Sequence, residues 1–173
     1  MKNENHNFTT KIGKWMIVLS WVAALGLMTL IFSNVLENKR NPNQHVSTQV
    51  LGNGSKEVVL ESSTHGHYIA SGKINQKPVV FLVDTGASFV SVPASVASRV
   101  GLKKGAPQTA MTANGNIKVY STVLDEISLG DITLYNVRAD INPHMDGDEI
   151  LLGMSFLRSL SVTHENGNLT IRQ

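Results

Sequence analysis

Val79-Val80-Phe81-Leu82-Val83-Asp84-Thr85-Gly86-Ala87-Ser88 sets five apolar residues, three of them valine, directly before a carboxylate. An unbroken apolar run of this length reads as a strand buried on both faces rather than on one. An aspartate at the end of such a strand is costly unless hydrogen bonds or chemistry compensate it. Thr85 can donate a hydroxyl. Gly86 lets backbone amides come close and takes φ values that other residues resist. Ala87 and Ser88 are small enough to leave room for a ligand. The stretch therefore predicts a carboxyl group held rigidly at the floor of a cleft. A bare Asp-Thr-Gly usually marks a turn; the apolar strand in front of it is what argues for chemistry.

Around this stretch the sequence from Glu57 onward reads as many short strands. Val58-Val59-Leu60 and His67-Tyr68-Ile69-Ala70 are strand candidates, and Lys73 to Lys77 has the composition of a hairpin turn. Phe89 to Val92 is another strand. Pro93 then opens a short helix to Val100, closed by Gly101, the expected order of proline first and glycine last. Residues 107–124 form a long hairpin with Ala113-Asn114-Gly115-Asn116 at its tip, since Asn-Gly is the strongest short hairpin signal. Strands follow at 117–129 and 132–141 around Gly130-Asp131, then an acidic loop at 142–149. Glu149 to Leu157 is a buried strand turning at Gly153 into a short helix, and a last hairpin turns through Glu165-Asn166-Gly167-Asn168. Short strands with turns every 8–12 residues predict an all-β barrel or sandwich.

Toward the N-terminus, residues 1–14 are polar and carry Lys2, Lys11 and Lys14. Trp15 to Phe32 is an uncharged run of eighteen residues, about 27 Å as a helix, enough for a bilayer core. It is longer than the apolar part of a signal peptide, and Thr29 to Asn34 offers no small-x-small cleavage site. An uncleaved single-pass anchor is therefore expected, with residues 1–14 as a cytoplasmic leader. Lys11 and Lys14 before the run nearly balance Lys39 and Arg40 after it. The short leader favours a domain outside the cytoplasm, on the periplasmic side of the inner membrane in a bacterium. Residues 33–56, rich in Asn, Gln, Ser and Gly, are expected to be a flexible linker.

The 173 residues suit one domain with an appendage. The formal charge of +2 arises in residues 1–56, while residues 57–173 are net acidic, so nucleic acid is not an expected partner. Cysteine is absent, which excludes disulfides, thiol nucleophiles, cysteine-based zinc sites and a lipobox anchor.

Three separated features together resemble the retropepsin-like aspartic proteases. They are the strand ending in Asp84-Thr85-Gly86-Ala87-Ser88, the glycine-tipped hairpin about thirty residues later, and Ile150-Leu151-Leu152-Gly153. The continuation Met154-Ser155-Phe156-Leu157 is similar to the membrane-anchored bacterial branch of that family. The likeness covers roughly residues 66–173. It implies an all-β closed barrel with a flap hairpin and one or two short helices, here preceded by a single transmembrane helix. The protease domain would span residues 57–173.

It also implies an aspartic endopeptidase in which two aspartates share a proton and activate a water against an amide. One Asp-Thr-Gly is present, and Asp125, Asp131 and Asp140 lie in turn or strand-edge contexts without Thr-Gly. A two-aspartate site then needs two copies of the chain, a C2 homodimer. By the resemblance Asp84 is catalytic, Thr85 bonds across the dimer axis, Gly86 meets substrate backbone and Ser88 bonds the Asp84 carboxylate. Ala87 completes the loop. Ala113, Asn114 and Gly115 would form the flap tip, and Leu151, Leu152 and Gly153 would pack behind the loop. The expected partners are a second copy, a protein or peptide substrate and the membrane through residues 15–32, with no cofactor or metal.

Other constellations are weaker. His65 and His67 share a strand face but lack a third ligand nearby. Asp146-Gly147-Asp148-Glu149 lacks the spacing of a calcium loop. Ser88, His144 and Asp84 could be written as a triad, but no Gly-x-Ser-x-Gly elbow is present. Met111, Met145 and Met154 read as packing residues. The alternative from another class is a membrane-tethered peptide-binding or scaffold module that keeps the fold without cleaving.

Overall fold

The computed structural model describes residues 4–112 and 115–173, with the backbone alone for residues 4–12 and 34. The chain forms two compact units, Met1–Lys39 and Arg40–Gln173. The first is helical. Helix α1 (Glu4–Arg40) is 37 residues long, and Gly13–Arg40 within it is long and apolar enough to cross a membrane, its most apolar stretch of 18 residues having a mean hydropathy of 2.2. Trp15, Leu19, Trp21, Leu25 and Leu30 are all exposed, so the helix is apolar all round rather than on one stripe. It continues past Phe32 because nothing between Ser33 and Arg40 breaks it. Pro42 does: the residue before a proline is pushed out of the helical region, and the helix ends one residue earlier, at Arg40.

The second unit is nearly all β. Its elements are β1 (Thr48–Val50), β2 (Lys56–Glu61), β3 (Ile69–Ile74), β4 (Lys77–Val83), β5 (Val90–Pro93), α2 (Ala94–Val100), β6 (Pro107–Thr112) and β7 (Gly115–Leu129). After these come β8 (Ile132–Asn142), β9 (Glu149–Leu152), α3 (Met154–Leu157), β10 (Ser161–Glu165) and β11 (Asn168–Arg172). The larger sheet runs β3-β4-β9-β5-β8-β7-β6, and β3 also pairs with β7, which closes six strands into a barrel. Closure needs Gly72. A Cβ there would lie 2.4 Å from the Phe81 ring and 2.4 Å from the Ser128 carbonyl oxygen, so only a bare backbone lets β3 reach β7.

The core follows from period-two alternation. Val137, Ala139 and Ile141 of β8, Val90 and Val92 of β5, and Ile150 and Leu152 of β9 point into the barrel with Phe81. A second sheet, β1-β2-β11-β10, contributes Val58, Leu60, Leu169 and Ile171 to the same core. The turns follow sequence chemistry: Asn75 and Gln76 both take positive φ between β3 and β4, and Asn166 and Gly167 do so between β10 and β11. Helix α2 starts after Pro93 and ends at Gly101 with φ of 81°, as the sequence predicts.

The flexible linker expected over residues 33–56 is not what forms. Residues 33–40 continue α1, β1 pairs with β2, and Asn41 and Asn43 are buried. The Asn43 carboxamide donates to the carbonyls of Glu61 at 2.9 Å and Ile69 at 2.7 Å, and accepts the Glu61 amide at 2.8 Å. Asn41 accepts the Asn43 amide at 3.0 Å. Polar composition suggests a tether, but these side chains replace missing backbone partners and tie the segment between β2 and β3.

Asn43→Ala should therefore destabilise the domain by about 2–3 kcal/mol in chemical denaturation, since it strands buried backbone groups. A change within about 0.5 kcal/mol would mark the segment as a passive tether.

Candidate active site

Asp84 stands where β4 ends. β4 and β9 run parallel with Val83 opposite Leu152, and the Asp84 amide donates to the Leu152 carbonyl at 3.3 Å. The chain then turns sharply: the Ala87 amide returns to the Asp84 carbonyl at 3.2 Å, and the Gly86 amide donates to the carboxylate oxygen Oδ1 at 2.9 Å. Glycine suits that position, because a Cβ on Gly86 would come within 3.1 Å of the same oxygen.

The loop is fixed from behind by the end of β9. A Cβ on Gly153 would lie 2.2 Å from the Phe89 carbonyl oxygen and 2.7 Å from that of Ala87, so no other residue fits without moving the loop. Beyond Gly153, the amides of Met154 and Ser155 donate to the carbonyls of Ala87 at 2.8 Å and Ser88 at 3.1 Å. The Ser155 hydroxyl accepts the Val90 amide at 2.9 Å. Leu152 is buried beneath the loop and Leu151 reaches the cleft wall. Ala87, Ser88 and Val90 are thus each bound to the 153–155 segment.

Above the loop lies a cleft of about 330 Å³. Asp84, Gly86, Ala87 and Ser88 line it from one side, and Thr109 to Thr112, Ile117 and Val119 of the β6–β7 hairpin line it from the other. Gly115 sits at the start of β7 with φ of 108°; Ala113 and Asn114 lie outside the described residues. Met111, read from sequence as a packing residue, is instead 88% exposed on that hairpin. Thr85 is exposed, and its hydroxyl has no partner among the described residues. Ser88 does not bond the Asp84 carboxylate among the described residues; the Gly86 amide does. Nor does any hydrogen bond among them join His144 to Ser88 or Asp84; the His144 amide donates to Asn142 at 2.9 Å. No group of three or more His, Asp or Glu among the described residues is placed to hold a metal ion.

Sequence reasoning missed Asp140. It is not at a strand edge: it lies within β8, is 8% exposed and lines the cleft with Asp84. Its Oδ1 accepts the hydroxyl of buried Ser91 at 2.6 Å. Burial pushes its carboxyl above the ordinary aspartate range, partly offset by that hydrogen bond. The signal was present in Val137-Arg138-Ala139-Asp140-Ile141-Asn142, whose apolar residues alternate with polar ones. With the apolar set in the barrel, the polar set must face the cleft side.

A larger depression of about 560 Å³ lies beyond Phe89 and Gln108, with Lys103, Lys104, Arg138 and Asp125 in its lining. Asp84 takes no part in it, so size does not mark the site here; the oriented carboxylate does.

Comparison with known proteins agrees with this fold. A solved structure, a retropepsin-like aspartic protease from Rickettsia conorii, superposes with a TM-score of 0.59 at 25% identity, over 74% of this chain and 95% of that one. An uncharacterized protein of a Sinorhizobium species is 38% identical over 112 residues, 63% of this chain and 48% of its own length. An uncharacterized protein of Rickettsia prowazekii is 30% identical over 104 residues, 58% of this chain and 44% of its own length. The chain thus spans about half the length of the curated relatives it matches. The model of the family described as "gag-polyprotein putative aspartyl protease" matches residues 70–159, more than half of the chain, from β3 to just past α3. With its closed barrel, its Asp84 loop and the glycine that backs it, this chain belongs to that aspartyl protease family and has the retropepsin-like fold.

Proposed function

We propose that the chain is a membrane-anchored aspartic endopeptidase that works as a homodimer, with Asp84 of each copy meeting at the two-fold axis. The observation that carries this reading is the Asp84 carboxylate, oriented by the Gly86 amide at 2.9 Å on the floor of a cleft beneath a hairpin. Two such carboxylates side by side cannot both ionise, so they hold one proton between them. The ionised one removes a proton from water as the water oxygen attacks the peptide carbonyl. The protonated one delivers its proton, and the amide nitrogen leaves as an amine. Gly86 has no side chain beside the carboxylate, which leaves room for an extended substrate backbone.

Two features support the dimer. The chain has one Asp-Thr-Gly, and Thr85 and Gly86 are exposed around Asp84. In addition, every residue of β10 is exposed, and among the described residues its outer edge pairs with no strand. A free edge is a ready template for another strand, and across a two-fold axis that strand is its own copy. The anchor would be α1, supported by the length and apolarity of Gly13–Arg40, with the folded domain on the periplasmic side of the inner membrane as the orientation to be tested.

Cleavage of an unfolded protein should rise with about the square of enzyme concentration at low levels, because inactive monomers must first pair. Asp84→Asn should lower the rate on the order of a thousandfold or more, as for residues that act as a unit. A linear rate that survives the substitution would refute the mechanism. Intact binding of peptides without turnover would favour the scaffold reading.

The absence of cysteine allows a direct test of orientation. Tyr135→Cys, at a side chain 65% exposed, should react with a membrane-impermeant maleimide once the outer membrane alone is opened. Labelling only after lysis would place the domain in the cytoplasm.

A further inference from the structure

Asp140 is the only charged side chain that is buried among the described residues, and the proton transfers above leave it unused. Its place on β8 decides where it points. Val137, Ala139 and Ile141 face the barrel core, so Asp140 faces the cleft together with Asn142. One hydrogen bond, from Ser91, reaches its carboxylate, and no Lys, Arg or His lies within ion-pair distance among the described residues. A carboxylate can accept about four hydrogen bonds, so beyond Ser91 its donors must come from whatever fills the cleft, solvent or ligand, and it lacks a counter-ion among the described residues.

The surroundings offer it no cation. From β5 the group facing it is Ser91, from β7 it is Ser121, and Leu151 of β9 is apolar. Arg138, two residues away on the same face, holds its guanidinium 5.6 Å over the Phe89 ring instead. His144 contributes only a backbone amide, to Asn142. The other charged group of the cleft is Asp84, and no basic residue lines it among the described residues.

We infer that Asp140 is the specificity-determining residue of this cleft and receives a lysine or arginine side chain of the bound peptide. The inference rests on reading the cleft as a peptide-binding groove. A cationic head would supply the missing donors in charge-assisted bonds, and Leu151 and Val119 would cover its aliphatic stem. Empty, the same carboxylate weakens the fold. Because its folded pKa is raised, the folded state binds the proton more tightly than the unfolded chain does. Stability is thus lost as pH rises from the ordinary carboxylate range through the folded pKa. A group that costs stability at neutral pH is explained by a ligand that needs it charged.

The test uses the full chain in detergent with Asp84→Asn, so that no probe is consumed. The probes are capped octapeptide pools in which one position at a time is fixed as lysine or as norleucine, which matches the stem but lacks the charge. At one position the lysine pool should bind about tenfold tighter at neutral pH, the size of one favourable buried charge contact. Adding Asp140→Asn should abolish that ratio while raising the thermal midpoint at neutral pH, a gain that disappears in acid. Without that second substitution, the ratio in Asp84→Asn should also fade as pH drops and Asp140 takes up its proton, so the outcome does not depend on the double variant folding. Equal binding at every position, or a preference that survives Asp140→Asn, would overturn the inference. A lysine preference in a chain whose wild type cleaves no peptide would sink the endopeptidase reading and leave this one standing.

Discussion

The close approach of Gly153 to the carbonyls of Ala87 and Phe89 fixes where Asp84 stands. β9 enters between β4 and β5, parallel to the first and antiparallel to the second, and ends at the level of the aspartate. Gly153 then lets the chain cross directly behind the loop, and the next two amides bond to it. A carboxylate near the end of a buried strand would otherwise be free to turn toward water. Here its backbone is fixed by segments almost seventy residues later in the chain, a long-range contact whose loop-closure cost is met only once the barrel has formed. The site is therefore a product of the whole domain rather than of the Asp-Thr-Gly alone.

That dependence explains what could be read beforehand. The apolar run before Asp84, the Asn-Gly turns, the proline-to-glycine helix of α2 and the strand at Glu149–Leu152 are local signals, and each names its element. The segment after Pro42 was not legible, because the value of Asn41 and Asn43 lies in carbonyls and amides of β2 and β3 that only folding brings near. The extension of α1 to Arg40 was partly legible, since helix breakers are absent before Pro42. Asp140 lay in plain view as the polar half of an alternating strand. What hid it was the assumption that a polar face meets solvent; here it meets a cleft roofed by the β6–β7 hairpin. Ser88 shows the opposite limit: a hydroxyl near a carboxylate in sequence need not bond it, and here the Gly86 amide does.

The two carboxylates of the cleft are held in different ways. Asp84 sits on a loop, partly exposed, with a backbone amide on one oxygen. Asp140 sits inside a strand, buried, with a serine hydroxyl as its donor and a raised pKa. Environment, not residue type, separates their proposed chemistry: one would share a proton across a two-fold axis and the other would present charge to a ligand. The proposed anchor would add a further constraint, since two anchored copies would meet in a plane, which raises their effective concentration and favours pairing.

Subunit mixing tests the central claim, a site built from Asp84 of two copies, most directly. Wild-type chain is unfolded and refolded with increasing shares of the Asp84→Asn chain, and cleavage is measured where all chains are paired. With equal parts of each, random pairing leaves about a quarter of the dimers with both aspartates, and activity should fall to that level. Retention of about half the activity, in direct proportion to the wild-type share, would mean that each chain works alone and would contradict the account.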